Sequence, residues 1–464
     1  MSKATNLFEN VKKVHLIGIG GIGMSGIAEY LIKKKFIVTG SDLTSSLITK
    51  RLKKFGVEIS EGHIENNLPD DAQLVIYTSA LSEDNAELLK AKRLNKKLIK
   101  RAEALGDIVN DKFVIAVSGT HGKTTTTSMI AKVLLDNKFD PTIFVGGNLE
   151  FLDGGSSRIG KSEIAVVEAD EYDRSFHQLQ ANIAVITNID AEHLDIYKDI
   201  EDIKDSFKKF MDNSKKNVKV IICGDDINAV EVAKEIKNKV TYGFKKKNDY
   251  VIEDISYGKK AVSFIIDDNE VRLRILGKHN ILNSTAAFLV AKELMIGGDR
   301  FNESIKTFYG VKRRLELKLT NDIKVYDDYA HHPTEVEVTL DAIRKNHKGR
   351  IITVFQPHLY SRTKNFYKEF GKAFAGTDLL YLTKIYPARE KEIEGVTSGM
   401  ILSEYNKAGK EGRYIEDKEM LLNELDSIKQ AGDVIIFQGA GDITELCERF
   451  VNRIKSKTNG KVPL

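Results

Sequence analysis

FVIAVSGTHGKTTTTSMIAKVLL, residues 113–135, is the stretch from which the fold can be read. Phe113 to Val117 is an apolar run of strand length, and TTTTSMIAKVLL reads as the helix that follows it. Between them lies Ser118-Gly119-Thr120-His121-Gly122-Lys123-Thr124-Thr125. Backbone N–H groups of a glycine-rich loop that opens a helix cradle phosphate oxygens, Lys123 supplies a point charge, and the Thr124 hydroxyl can hold Mg2+. The strict P-loop pattern has glycine five residues before Gly122, where this chain has Val117, so the loop is a variant. The competing reading is a glycine-rich turn with a solvated lysine; strand before and helix after favour phosphate.

Outward from that stretch, short β-branched runs alternate with amphipathic helical stretches almost throughout, which predicts α/β layers with largely parallel sheets. Upstream, Val14–Ile17, Phe36–Thr39 and Leu74–Tyr77 read as strands, with helices at Gly23–Lys34 and Ser46–Phe55. The charged stretch AKRLNKKLIKRAEALGDIVNDK closes this part and contains a linking helix. Downstream, strands are expected at Ile164–Glu168, Ile183–Thr187 and Val218–Cys223, then a hairpin turning at Tyr257-Gly258. A third alternation has strands at Ile323–Tyr326, Arg350–Phe355, Leu379–Thr383 and Val434–Phe437, and KSKTNGKVPL reads as a frayed tail. A chain of 464 residues is long enough for about three domains. The expected boundaries are 1–110, 111–313 and 314–464.

Further signals sit at strand ends. GIGGIGMSG, residues 18–26, lies between a strand and a helix, where glycines allow a tight turn and N–H groups can meet a diphosphate. Asp42 ends the next predicted strand, where a ribose-binding acid would sit, although a structural tight turn also accounts for this pattern. VVEADE ends one strand of the second part in Glu168, Asp170 and Glu171, and TNIDAEHLD ends the next with His193 and Asp195. Such clusters after a phosphate loop point to metal and nucleotide chemistry. DDYAHHP and FQPHLYSRT occupy the same position in the third part, as does Gln438-Gly439-Ala440-Gly441-Asp442.

Composition excludes several classes. Hydrophobic residues make up 42% of the chain and net charge is +4, which rules out disorder and a strongly electrostatic nucleic-acid binder. Cys223 and Cys447 cannot build a disulfide framework and fit a reducing cytosol. Val14–Ile32 lacks Lys, Arg and Asp, but its five glycines with His15 and Glu29 make it a poor spanning helix. With no signal peptide evident, the chain reads as soluble and cytoplasmic, with no nucleic-acid partner and no membrane insertion.

GIGGIGMSGIAEYL, SGTHGKTTTTSMIA, VEADEYDRSF, TNIDAEHLD, GKHNILNSTAA, VKRR, DDYAHHPTEV and FQPHLYSRT occur in one order between Val14 and Phe450. In these blocks the chain resembles the ATP-dependent Mur ligases of peptidoglycan synthesis, and among them the branch that adds L-alanine. The resemblance implies an N-terminal Rossmann-like domain that binds UDP, a central P-loop-type ATPase domain, and a Rossmann-like C-terminal domain that closes over the site. It implies UDP-N-acetylmuramate and L-alanine as substrates, with ATP and Mg2+. The lactyl carboxylate takes the γ-phosphoryl group, and the alanine amine attacks the acyl phosphate. Carried over by matching position, Lys123 would bind the transferring phosphates, Thr124 and Glu168 one Mg2+, and His193 a second. Gly119, Thr120, His121, Gly122, Thr125, Asn280, Arg314 and Asp328 would complete the ATP site. Gly18, Gly20, Gly21, Gly23, Met24, Ser25 and Asp42 would meet the UDP part, and Tyr329, His331 and Arg362 would place substrate.

The chain departs from the family pattern in three places. Leu359 stands where many relatives have arginine, and Ile385-Tyr386-Pro387-Ala388-Arg389-Glu390 differs from the usual Y-A-A-G-E run. Asp205-Ser206-Phe207-Lys208 offers no clean match to the carbamylated lysine of sister ligases, so that modification is not expected. Three other readings compete: a ligase that recycles a tripeptide onto UDP-N-acetylmuramate, a nicotinamide-dependent oxidoreductase, and a non-catalytic nucleotide-binding regulator. The oxidoreductase reading leaves Lys123 and both acidic clusters unused, and the regulator needs neither His193 nor the third-part motifs.

Overall fold

The computed structural model describes residues 7–193, 196–258, 261–388 and 390–459. The first sheet comprises β1 (Lys13–Ile17), β2 (Ile37–Asp42), β3 (Glu58–Glu61), β4 (Leu74–Tyr77) and β5 (Lys97–Lys100), in the order β3-β2-β1-β4-β5. All its pairings are parallel. The chain leaves β1 toward β2 on one side and returns to β4 on the other, so the order reverses at β1. Ligands bind outside the strand carboxyl ends at such a reversal, and the first glycine loop begins there. Central strands are apolar on both faces, with Val14, Leu16, Leu74, Val75 and Ile76 fully buried. The edge strands read EISE and KLIK, charged as edges usually are. Helices α1 (Ile22–Lys33), α2 (Leu47–Lys54), α3 (Ala86–Arg93) and α4 (Arg101–Val109) connect them.

The second sheet holds β6 (Phe113–Ser118), β7 (Thr142–Leu149), β8 (Gly155–Arg158), β9 (Ile164–Glu168) and β10 (Ile183–Ile186). It continues with β11 (Lys219–Cys223), β12 (Lys239–Gly243) and β13 (Tyr250–Val251). Its order is β13-β12-β11-β10-β6-β9-β7-β8, parallel except for the antiparallel edge pair β7–β8. β6 runs between β9 and β10, so the carboxyl ends of all three come together where α5 (Lys123–Asp136) begins; α6 (Ile200–Asp212) follows β10. β14 (Glu253–Tyr257), β15 (Val262–Ile266) and β16 (Asn269–Leu273) form a small sheet in that order. The hairpin expected at Tyr257-Gly258 is closed by Gly258 N–H donating to the Ala261 carbonyl at 2.9 Å.

The third sheet contains β17 (Glu316–Thr320), β18 (Lys324–Asp328), β19 (Ile351–Phe355), β20 (Leu379–Leu382), β21 (Gly412–Tyr414) and β22 (Val434–Gln438). Its order is β17-β18-β22-β19-β20-β21, with β17 antiparallel and the rest parallel. Packing divides the chain into two compact units. The first runs to Ser256 with Ser263–Leu273 and Ile281–Phe308; the second holds Tyr257–Val262, Arg274–Asn280 and the chain from Tyr309.

Two expectations need correction. The charged stretch before Phe113 does contain a helix, α4, but also the edge strand β5, in which Ile99 alone is buried. The supposed frayed tail is helical through Asn459, because the helix Ile443–Asn459 seats Leu446, Phe450, Val451 and Ile454 in the core. Residues 460–464 of that tail lie outside the described residues.

Candidate functional site

After β6 the chain turns through Gly119 and Gly122, both in the left-handed region at φ +133° and +86°. A Cβ at Gly119 would lie 2.1 Å from Thr187 Oγ1, and one at Gly122 2.5 Å from Asn283 Oδ1, so a side chain at either position would force movement. Asn188, just past β10, holds the loop: its carbonyl accepts Thr120 N–H at 3.0 Å and its Oδ1 accepts His121 N–H at 2.8 Å. The bond that starts α5 runs from Thr126 N–H to the Gly122 carbonyl at 3.0 Å. The N–H groups of Lys123, Thr124 and Thr125 precede it and have no acceptor in their own helix, which is what a phosphate requires.

Lys123 Nζ donates to the carbonyls of Gly119 (2.7 Å) and Thr120 (3.1 Å) and to Glu171 Oε1 (2.8 Å). Burial alone would lower the Lys123 pKa, but Glu171, Asp170 and Glu192 outweigh it and hold the ammonium charged. The Glu171 carboxyl is likewise buried, and Lys123 and His193 hold it below the usual carboxylate range despite that burial. Glu168, at the end of β9, accepts the Thr124 hydroxyl at 2.9 Å and Gly146 N–H at 2.7 Å, while burial pushes its carboxyl up.

His193 adopts φ +56° and places Nε2 3.6 Å from Glu171 Oε1 and 3.9 Å from Glu192 Oε2. Burial would lower its pKa, but the two carboxylates raise it on balance. Ligand atoms of Glu171, Glu192 and His193 all lie within 4.8 Å of one another. Thr124 and Glu168 thus form one oxygen-donor pair, and His193 belongs to a second group with Glu171 and Glu192. Carboxylate and hydroxyl oxygens suit a hard cation, and a divalent ion beside Glu168 would offset the desolvation of its carboxylate; the donor chemistry fits Mg2+. Glu171 and Glu192 were visible in the acidic clusters, but nothing in their spacing singles out the carboxylate that meets Lys123. Asp195 lies outside the described residues.

At the first loop, Gly18 takes φ +80°, and Gly18 and Ile19 donate N–H to the Ser41 carbonyl at 2.9 and 3.0 Å. Asp42, read as a ribose ligand, here accepts Gly20 N–H at 2.7 Å and so fixes the loop. The bond that starts α1 is Ser25 N–H to the Gly21 carbonyl at 2.8 Å, which leaves the N–H groups of Ile22, Gly23 and Met24 ahead of it. The Met24 side chain is buried in the core and the Ser25 hydroxyl donates to the Ile22 carbonyl at 2.8 Å. What Met24 can offer a ligand is its backbone.

The second unit gathers a different set. The Tyr329 ring lies under the guanidinium groups of Arg313 (4.9 Å) and Arg314 (5.1 Å), and edge-to-face with His331 at 5.2 Å. His331 is 5.7 Å from the His358 ring, which stacks on Tyr386 at 5.8 Å and lies 3.2 Å from Arg362 Nη1. Tyr329, His331 and Arg362 are therefore brought together, joined by His358 and Tyr386. Asp328 spends both carboxyl oxygens on protein donors: Leu315 N–H at 3.0 Å, the Thr339 hydroxyl at 2.9 Å and Gln438 Nε2 at 3.3 Å. Asn280 is buried, with Nδ2 donating to the Leu276 carbonyl at 2.6 Å. Leu359 is also buried, at φ +70° just before the helix Tyr360–Ala373. Glu390 accepts the Ser361 N–H at 2.9 Å and its hydroxyl, which ties the divergent 385–390 run to that helix start; Arg389 lies outside the described residues.

No helix among the described residues is long and apolar enough to cross a membrane. Three family models match in succession: the Mur ligase family catalytic domain over residues 13–113, the Mur ligase middle domain over 117–291, and the Mur ligase glutamate ligase domain over 313–441. The UDP-N-acetylmuramate–L-alanine ligase of Acetivibrio thermocellus is 44% identical over 450 residues, 95% of this chain and 96% of that protein. The enzyme of the same name from Clostridium kluyveri is 44% identical over 451 residues, 95% of this chain and 98% of that one. Among solved structures, UDP-N-acetylmuramate–alanine ligase from Thermotoga maritima superposes with TM-score 0.83 at 30% identity, covering 96% of this chain and 99% of that one. A murein peptide ligase from Psychrobacter arcticus shares the fold at TM-score 0.71 and 23% identity, covering 98% of this chain and 100% of that one. The chain belongs to the Mur ligase family.

Proposed function

We propose that this chain joins the amine of L-alanine to the lactyl carboxylate of UDP-N-acetylmuramate, with ATP and Mg2+, in peptidoglycan precursor synthesis. The observation that carries this is the presence, in one compact unit, of two separate loops that each open a helix with unused N–H groups. A reaction between a UDP-linked acid and ATP needs two such anion sites, and the relatives' names supply the substrates.

The expected residue ranges divide the tasks: 1–110 holds the UDP part, 111–313 the ATP, and 314–464 is the closing C-terminal domain, which adds Arg314 and Asp328 for the nucleotide. ATP supplies a phosphoryl group that turns the carboxylate into an acyl phosphate, releasing ADP; attack by the amine then forms the amide and releases phosphate. Lys123 stabilises the charge on the moving phosphoryl group from within the loop 119–125. Thr124 and Glu168 would hold one Mg2+, and His193, with Glu171 and Glu192, would hold a second cation; such ions would offset the negative charge of the phosphates and of the carboxylate. Gly18, Gly20, Gly21, Gly23, Met24 and Ser25 receive the diphosphate, with Asp42 fixing their loop. Tyr329, His331 and Arg362 place substrate, while Asn280, Arg314 and Asp328 serve the nucleotide.

Phosphate release tests this reading. It should require UDP-N-acetylmuramate and an amino acid together, and run fastest with L-alanine in a panel including glycine and L-serine. Release independent of the UDP-sugar would refute it.

A further inference from the structure

Lys100 ends β5 and Arg101 opens α4, and both side chains reach the acidic segment that follows β9. Lys100 Nζ donates to Asp173 Oδ2 at 2.9 Å, and the Ser79 hydroxyl donates to the same oxygen. Arg174 is anchored by Asp202 at 2.8 and 2.9 Å and lies 4.7 Å over the Tyr197 ring. Residues 173–174 are thus held firmly.

Arg101 is held differently. Its Nη2 stands 3.7 Å from Asp170 Oδ2, within ion-pair range but beyond a hydrogen bond. The rest of its side chain lies along Gly23 in the first turn of α1, where a Cβ would come 3.0 Å from Nη1 and 3.1 Å from Cδ. The unused N–H groups of Ile22, Gly23 and Met24 open this same turn. A guanidinium fork therefore stands beside a helix start suited to an anion, paired loosely with a carboxylate that it can leave.

We propose that Arg101 binds the diphosphate of the UDP-substrate, exchanging its pairing with Asp170 for phosphate oxygens. The proposal rests on the reading that this chain takes a UDP-sugar. Guanidinium matches phosphate through parallel N–H bonds that a lysine cannot reproduce, and Lys100 beside it is already committed to Asp173. The exchange carries a consequence for the second site. Asp170 adjoins Glu171, the partner of Lys123, so arrival of the UDP-substrate removes a cation next to the ATP loop's own ion pair.

Calorimetric titration without ATP separates the possibilities, using uridine, UDP and UDP-N-acetylmuramate. Arg101→Ala should weaken UDP and UDP-N-acetylmuramate by about 10- to 100-fold, the range for one hydrogen bond to a charged group, and leave uridine unchanged. Arg101→Lys should fall between. Asp170→Asn should tighten UDP binding, because the competitor for the guanidinium is neutralised. Unchanged UDP affinity in Arg101→Ala, or an equal loss for uridine, would overturn the assignment and leave the functional reading standing. A wild-type protein that binds neither UDP nor UDP-N-acetylmuramate would overturn that reading, and this proposal with it.

Discussion

In the role proposed for it, Lys123 would serve two states with one charge. Its ammonium lies folded against the carbonyls of Gly119 and Thr120 and against Glu171, so phosphate oxygens would replace contacts already suited to a cation. Lys123→Ala should therefore lower ligation by about 10²-fold or more, the cost of losing one charge at a developing anion. The loop 18–25 draws its own contacts from Ser41 and Asp42, so UDP-N-acetylmuramate affinity should stay near wild type. Calorimetry showing that affinity to fall with the rate would undo the two-loop assignment. His193 answers a different question. It groups with Glu171 and Glu192, a set that does not include Glu168 or Thr124, so His193→Ala should cut turnover more than ATP affinity. Steady-state kinetics at saturating Mg2+ reads the difference, and a variant with wild-type turnover would remove His193 from the chemistry.

Among elements, the central strands were legible because burial on both faces leaves continuous apolar runs, as in FVIAV and LVIY. The edge strands β3 and β5 were not, since a strand with one neighbour needs little apolar surface and carries charge to discourage further pairing. The loops at Gly18 and Gly119 could be read for the same local reason: glycine is demanded where φ is positive and neighbours crowd the Cα. Glu171 with Lys123, and Arg101 with Gly23, join residues far apart in sequence, and no local pattern encodes such meetings. The buried group beneath the first loop is another. Glu87 on α3 accepts His15 Nε2 at 2.9 Å, His63 Nδ1 at 2.7 Å and the Ser41 hydroxyl at 2.6 Å, so it ties α3 to β1 and β2. Burial alone would raise its pKa, but those three hydrogen bonds outweigh it and hold the carboxyl below its ordinary range. A folded-state pKa below the unfolded one gives stability that is full above about pH 4.3 and lost as pH falls through the folded value. The advantage of wild type over Glu87→Gln, on the order of 1–3 kcal/mol at pH 7, should therefore shrink below about pH 4. Urea unfolding across pH 3–8 measures it; a constant difference would mean that Glu87 acts by shape and not by charge.

At the scale of the whole molecule, the question is whether the two compact units respond to ligands together. One continuous apolar cluster links the first and second sheets, running from Val14, Leu16 and Leu74 through Val114, Ala165 and Ala184 to Ala233. The clusters around β18, β19 and β22 draw instead on residues from Leu315 onward, with Val325, Ile352, Phe437 and Phe450 at their centre. A shared core makes the first two sheets unfold as one, whereas separate cores allow separate transitions. UDP, if it binds at the loop 18–25 as proposed, should stabilise only the unit that contains that loop. At a hundred times its dissociation constant the gain is about 2.7 kcal/mol, enough to move a melting temperature by a few degrees. A calorimetric scan should thus show two transitions, with UDP raising one and leaving the other in place. Proteolysis of partly melted samples would identify the unmoved transition as the fragment from about Tyr309 onward. If UDP shifted both transitions equally, or if one transition covered the whole chain, the two units would unfold cooperatively and the prediction of separate transitions would fail.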